Sequence, residues 1–177
     1  MAELLIQQSD FAQYRNLGNV NYDNDIIPHV YKAQRGVVRD LLGDAQYFDL
    51  WQNQTDAKYI TLLDGGSFTK NGNTLQLYGL KACIVLYAFA SFIARNDFKI
   101  TRAGNKLKRK AESDTADNEK LQAQKSEALS EAQMYASNVA DFMGENRTAY
   151  PLYVEDDVLE GSIRVGITQQ NEYKTVR

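Results

Sequence analysis

The longest apolar run in the chain, Leu80 to Arg95 (LKACIVLYAFASFIAR), has Ser91 as its only polar residue between Ala82 and Ala94. A helix of that composition is hydrophobic on every side, which is the mark of burial. Its unbroken part is roughly two thirds of the ~20 residues needed to span a membrane, and it lies mid-chain without a signal-peptide cleavage pattern. The expected element is a core helix. A second stretch, Ala116 to Met143, is its expected partner. Leu121, Lys125, Ala128, Ala132, Tyr135, Val139 and Phe142 recur at alternating steps of four and three, and Leu129, Ala136 and Met143 widen that seam. Glu119, Lys120, Gln124, Glu127, Glu131, Asn138 and Asp141 make the outward face polar.

Upstream of this pair the pattern predicts short helices. The apolar run Met1 to Ile6 fits an arm or a first strand. Ser9 or Asp10 can cap a short helix over Phe11 to Asn16, which Leu17-Gly18-Asn19 ends. Asn21 to Asn24 supply capping residues for an amphipathic helix stepping through Ile27, Val30, Gln34, Val38 and Leu41 to a stop at Gly43, with Pro28 in or near its first turn. Asp44 can cap the next helix, Ala45 to Gln52, whose Tyr47, Phe48, Leu50 and Trp51 are large enough to lie on the core. A third piece, Asp56 to Leu63, closes at Gly65-Gly66. Ser67 to Lys70 and Thr74 to Tyr78 then alternate about Asn71-Gly72, a strong signal for a tight β-hairpin, and Gly79 leads into the buried helix.

Between the two core helices, Phe98 to Thr101 fits a strand and Gly104 a break. The basic cluster Lys106, Lys108, Arg109 and Lys110 follows, and then Glu112, Asp114, Asp117 and Glu119. This segment is too polar for a core and reads as an exposed arm or the solvent-facing start of the long helix. After Tyr150-Pro151-Leu152-Tyr153 the chain turns acidic, and Ile163, Val165 and Ile167 then alternate with Arg164 and Gly166 like one strand face. The fold class expected is mainly α: a small helical bundle with one long helix, an inserted β-hairpin at about 67–78 and an extended C-terminal tail with a short strand. Residues 1–153 would form the helical domain and 154–177 a docking segment.

Composition narrows the chemistry. With 177 residues the chain fits one domain, and 20 Lys+Arg against 23 Asp+Glu leave a net charge of −3, so nothing global marks a nucleic-acid or membrane-surface binder. The single cysteine, Cys83, excludes an intrachain disulfide and an all-cysteine zinc site, and inside the apolar helix it reads as a small hydrophobe. His29 is the only histidine; beside Asp25 and near a helix start it reads as a solvated or capping residue, with no nucleophile suggested around it. Gly65, Gly66 and Gly72 are turn glycines outside any phosphate loop, and Glu155 to Asp157 lack EF-hand spacing. No catalytic residue, metal ligand or cofactor is expected. Eleven tyrosines, apolar faces with a polar tip, suit contact surfaces instead.

Tyr59-x-x-Leu62-Leu63-x-Gly65-Gly66, a hairpin, Gly79-Leu80-Lys81 with the apolar helix, Thr101-Arg102-Ala103-Gly104, a long polar-faced helix and Tyr150-Pro151-x-Tyr153 follow one another in an order that resembles the head–tail connector (adaptor) proteins of tailed bacteriophages. The likeness is greatest to the crAss-like type, in which the ring protein lies directly beneath the portal, and it covers roughly residues 10 to 153. It implies a structural virion protein of the phage neck, assembled in the host cytoplasm, with no enzymatic activity and no membrane contact. About twelve copies would close a ring between the portal and a further tail or ring protein, around a channel that DNA crosses without sequence-specific binding. Within that frame Ile163, Arg164, Val165, Ile167 and Tyr173 are the expected partner-binding residues, and Lys106, Lys108, Arg109 and Lys110 the expected subunit-boundary charges. The alternatives are a DNA-binding helical protein using Lys106 to Lys110, which phosphate contacts would make salt-sensitive, and a small enzyme, which an organised cleft around His29 would favour.

Overall fold

The computed structural model describes residues 4–15, 17, 20–96, 98–101, 104–107 and 114–154; between 96 and 118 only the backbone is described. The described chain is mainly helical, as the periodicity predicts. The helices are α1 (Gln8–Tyr14), α2 (residues 22–42), α3 (Asp44–Gln52), α4 (Ala57–Asp64), α5 (Leu80–Asn96) and α6 (Asp114–Glu145). Strands β1 (Gly66–Lys70) and β2 (Asn73–Leu77) pair antiparallel before α5, and β3 (Phe98–Thr101) and β4 (Gly104–Leu107) pair antiparallel after it.

Helix α5 is the centre. Leu80, Ala82, Ile84, Val85, Leu86 and Ala88 are wholly inaccessible, and Cys83, Ala90 and Ile93 nearly so. Burial is not complete all round, because Tyr87, Phe89 and Phe92 are half-buried. Its most extensive neighbour is α6. The predicted seam is buried at Ala128, Ala132, Ala136 and Val139, three of them small side chains. The helices run antiparallel, since Asn138 of α6 meets Tyr78 just before α5 while Lys125 and Leu129 lie beside Ser91 and Arg95 near its end.

Helix α2 starts at the capping residues that the sequence supplies. Asn21 Oδ1 accepts the Asn24 N–H at 3.1 Å, and the helix opens with a wide π-type turn over Tyr22–Ile26. The Ile27 N–H reaches back five residues to the Tyr22 carbonyl, immediately before Pro28, which has no N–H to offer. A second wide turn, Gln34–Val38, buries Gln34, whose Oε1 accepts the Leu5 N–H at 3.0 Å and so fixes the N-terminal segment. Leu5 and Ile6 are core residues, but they pair with no strand among the described residues.

Local chemistry sets the remaining joints. Gly43, at φ 73°, ends α2 and itself occupies the capping position of α3. Asp44 is therefore not the cap expected of it. It lies in the first turn of α3 and takes the Arg39 guanidinium on both oxygens, at 2.6 and 2.9 Å, which holds its carboxyl below the usual carboxylate range. Asn71 and Gly72 have φ of 51° and 79° and Lys70 stands opposite Asn73, the two-residue primed turn that Asn-Gly predicts. At Gly79, φ 83°, an added Cβ would lie 2.5 Å from the Leu63 carbonyl oxygen, so only glycine lets the strand-to-helix corner close against the end of α4.

An aromatic chain joins the outer elements to α6. Phe68 of β1 meets Phe142 edge-on at 5.5 Å, Phe142 meets Tyr150 at 5.6 Å, and Tyr150 meets Tyr59 of α4 at 6.1 Å. The Tyr150 hydroxyl donates to the Lys58 carbonyl at 2.6 Å. Tyr59 donates to Asp49 of α3 and receives from Gln46, which ties α3 to α4, and burial together with Asp49 raises its pKa. Two apolar residues of these short helices stay outside: Phe48 is 51 % exposed, beneath the Arg39 guanidinium, and Ile60 is 47 % exposed. The expected C-terminal strand lies outside the described residues.

A charge placed in α5 should be decisive. Leu86→Asp buries an unpaired carboxylate, a cost of several kcal/mol against a total stability of about 5 to 15 kcal/mol. Thermal melting followed by circular dichroism should show loss of the cooperative transition. Phe89→Asp should be milder, because Phe89 is half-buried with the Arg15 guanidinium 5.8 Å from its ring centre.

Candidate functional site

Two regions have geometry that the core does not require. The first is a groove of about 770 Å³ between α2, the second half of α5 and the first half of α6. Its floor is apolar, with Pro28, Ala33 and Val37 from α2, Tyr87 and Ala90 from α5 and Leu129 from α6. Lys32, Arg95 and Lys125 stand on the rim with one carboxylate, Asp40, and none of the four makes an ion pair among the described residues.

His29 lies in this groove rather than in solvent. It is 7 % exposed, its Nδ1 is 2.9 Å from Ser91 Oγ, and its ring meets Phe92 edge-on at 5.9 Å. Position 29 stands on the face of α2 that Ala33, Gly36, Val37 and Asp40 continue at helical spacing, and that face lines the groove opposite Ser91. Burial lowers the His29 pKa from its ordinary value, and the Arg95 and Lys32 cations lower it further, so the neutral imidazole is the stable form in the fold. The Ser91 contact resembles half of a nucleophile pair. Ser91, however, lies inside α5, where the neighbouring backbone N–H groups are committed to helix bonds and cannot serve a developing oxyanion. Ser91 is also the only hydrogen-bond partner of His29 among the described residues.

The second region is the first hairpin and its seat on α6. The Asn138 side chain bridges two backbone groups of the β2 end: its Oδ1 accepts the Tyr78 N–H at 3.1 Å and its Nδ2 donates to the Gln76 carbonyl at 2.9 Å. Tyr78 stacks on Tyr135 at 4.3 Å, and Lys70 pairs with Asp141 at 2.7 Å. Tyr135 donates to Glu131, which also holds Arg15. Asn138, Asp141 and Glu131 therefore do not belong to a plain solvated face as the periodicity predicts; each carries a tertiary contact. Leu75, Tyr78 and Met134 remain 37 %, 41 % and 55 % exposed in this part of the molecule, and Leu152 and Val154 are exposed where the described chain leaves α6.

Of the residues singled out from sequence, Lys106 is in β4, directly opposite Lys99 of β3 in register. Its segment is the second strand of a hairpin, not the arm or helix start expected for it. Lys108, Arg109 and Lys110 lie outside the described residues, as do Ile163, Arg164, Val165, Ile167 and Tyr173. Among the described residues no cluster of three His, Cys, Asp or Glu could hold a metal ion, and no helix is long and apolar enough to cross a membrane. Cys83 is buried, which pushes its thiol pKa up to about 12. Ser91 and the rim of the groove went unpredicted, since they converge from three segments with no shared motif.

The depressed His29 pKa sets a sign for stability against pH. A group that is easier to protonate when unfolded contributes fully above its ordinary value and loses that contribution as pH falls through the folded value. Between about pH 7 and pH 5 the wild-type chain should lose stability relative to His29→Gln, measured by urea unfolding of both proteins across that range. Asn138→Ala removes two bonds to backbone groups in a partly exposed place and should cost about 0.5 to 2 kcal/mol, with amide exchange of the hairpin accelerated more than that of α5.

Residues 38–162 match the model of a family described as a family of unknown function, DUF6712. No curated protein and no solved structure matches the chain. The family match covers well over half of the 177 residues, so the chain belongs to the DUF6712 family.

Proposed function

We propose that this protein is a structural subunit of a phage head–tail connector, which closes a ring between the portal and the next tail component and leaves a channel for DNA. The observation that carries the reading is the hairpin seated on α6. It is a two-stranded sheet held to α6 through Asn138, Tyr135 and Phe142, with exposed apolar residues beside it and the outer edge of β1 unpaired by any strand among the described residues. A ring subunit needs two different surfaces that meet head to tail, and a strand edge with neighbouring apolar side chains is one such surface. The order of motifs in the sequence supports the same assignment. The chain in this reading has no catalytic activity and takes no cofactor, its partners being further copies of itself, the portal and a further tail or ring protein. Its place is the virion neck, after assembly in the host cytoplasm. Residues 160–177, with Ile163, Val165 and Ile167, would dock on the portal or on the adjacent subunit, and Lys106 to Lys110 would lie at a subunit boundary.

A DNA-binding protein is the second reading. It draws on the register that sets Lys99 opposite Lys106, which concentrates positive charge on the second hairpin. Duplex DNA titrated at two salt concentrations separates the two: binding that weakens steeply with salt favours this reading, and no measurable affinity favours the connector.

The connector reading is tested by the mass of the purified protein alone and with portal, measured by native mass spectrometry and negative-stain imaging. Closed rings in at least one of the two conditions are the expected result; monomer in both would overturn the reading. Removing residues 160–177 should leave the helical circular dichroism unchanged and abolish portal binding.

A further inference from the structure

The groove beside His29 serves none of the contacts assigned so far. Its floor accepts apolar side chains and its rim is basic, three cations to one carboxylate, with Lys32 and Arg95 exposed and Lys125 half-buried. A buried neutral histidine adds no opposing charge. A matching ligand is a short peptide with an apolar pair flanked by carboxylates. The sequence contains that arrangement directly after the described helical fold: Glu155-Asp156-Asp157-Val158-Leu159-Glu160, which the family match also spans.

The described chain stays in the core through Tyr150, which packs on Phe142, and Tyr153, while Leu129 and Lys125 lie ~20 and ~26 Å back along α6 from Phe142 at 1.5 Å per residue. From Tyr153 to Val158 a fully extended chain spans at most ~18 Å, so the segment would reach its own groove only by running straight back along α6, a limit that a second copy does not have. We propose that the groove receives residues 155–160 of a second copy of this chain, with Val158 and Leu159 on the floor and the four carboxylates against Lys32, Arg95 and Lys125. The groove runs between helices and presents no free sheet edge, so side chains and charge give the recognition, and the alternating run Ile163 to Ile167 remains available to another surface. This deepens the assembly reading and rests on it only in requiring copies of the chain to meet.

The test places a photo-reactive phenylalanine analogue at position 159 of the full chain and maps the cross-linked peptides by mass spectrometry. A species of twice the chain mass, joined at α2 or at the second half of α5, is expected. Lys32→Glu with Lys125→Glu should weaken self-association about tenfold or more, and so should Asp156→Lys with Asp157→Lys. Mixing those two variants should restore a complex, because an acidic rim then meets a basic segment. A cross-link within one chain, a dimer joined elsewhere, or a mixture that stays dissociated would overturn the proposal. Duplex DNA that protects the rim from cross-linking while leaving self-association intact would also overturn it. Rings that form on the portal with the cross-link elsewhere would sink the groove assignment and leave the connector reading standing, whereas a chain that is monomeric with and without portal would sink both.

Discussion

The structure depends on one constraint: α5, apolar from Ala82 to Ala94 apart from Ser91, presents apolar side chains in nearly every direction, so other elements must cover it on several sides. Helix α6 covers one side through its alanine stripe, α2 a second, and α1 and α4 the beginning of the helix. Lys81 shows how one polar exception is handled. It lies in the first turn of α5 and reaches Asp64 of α4 at 2.7 Å and Asp10 of α1 at 3.2 Å. Its partial burial favours the neutral amine, but the two carboxylates outweigh that and raise its pKa. The cation thereby links the two short helices to the first turn of α5.

What was legible in the sequence is what local chemistry decides. The all-round apolarity of α5, the four-and-three spacing of α6, the stop at Gly43 and the Asn71-Gly72 turn each depend on a few neighbouring residues, and each has the predicted form. The misreadings share a different cause. His29 is read in sequence by its neighbours, whereas its place one helical turn before Ala33 puts it on the face of α2 that lines the groove. Asp44 looked like a cap because Asp is a good one, yet Gly43 already held that position at a positive φ and Arg39, five residues back, took the carboxylate. The second hairpin was half seen. Phe98 to Thr101 has strand character, whereas Gly104 to Leu107 holds a lysine and an asparagine that read equally well as a polar arm. The groove was not legible, since its walls come from positions some sixty and a further thirty residues apart and only tertiary packing brings them together.

Several polar side chains among the described residues join one element to another. Gln34 fixes the N-terminal segment, Tyr59 joins α3 to α4, Tyr150 holds the Lys58 carbonyl, and Ser91 receives His29. In each case one side chain satisfies a buried or half-buried group from a different element, so removing it would leave a partner unsatisfied. A fold built from short helices needs such fixed points, because the helices are individually too short to persist in water.

Asn138 is the fixed point with the widest effect. Gln76 C=O and Tyr78 N–H are the groups a further strand would use to pair with β2, and the Asn138 amide, which carries the same donor and acceptor as a peptide bond, already occupies them. The long helix thus stands in for a third strand at the base of the hairpin. Pairing from that side would have to displace it, whereas the outer edge of β1 has no such guard among the described residues. The hairpin is consequently directional: it can be extended from one side and not readily from the other, which blocks the open-ended edge-to-edge stacking by which exposed two-stranded sheets otherwise aggregate.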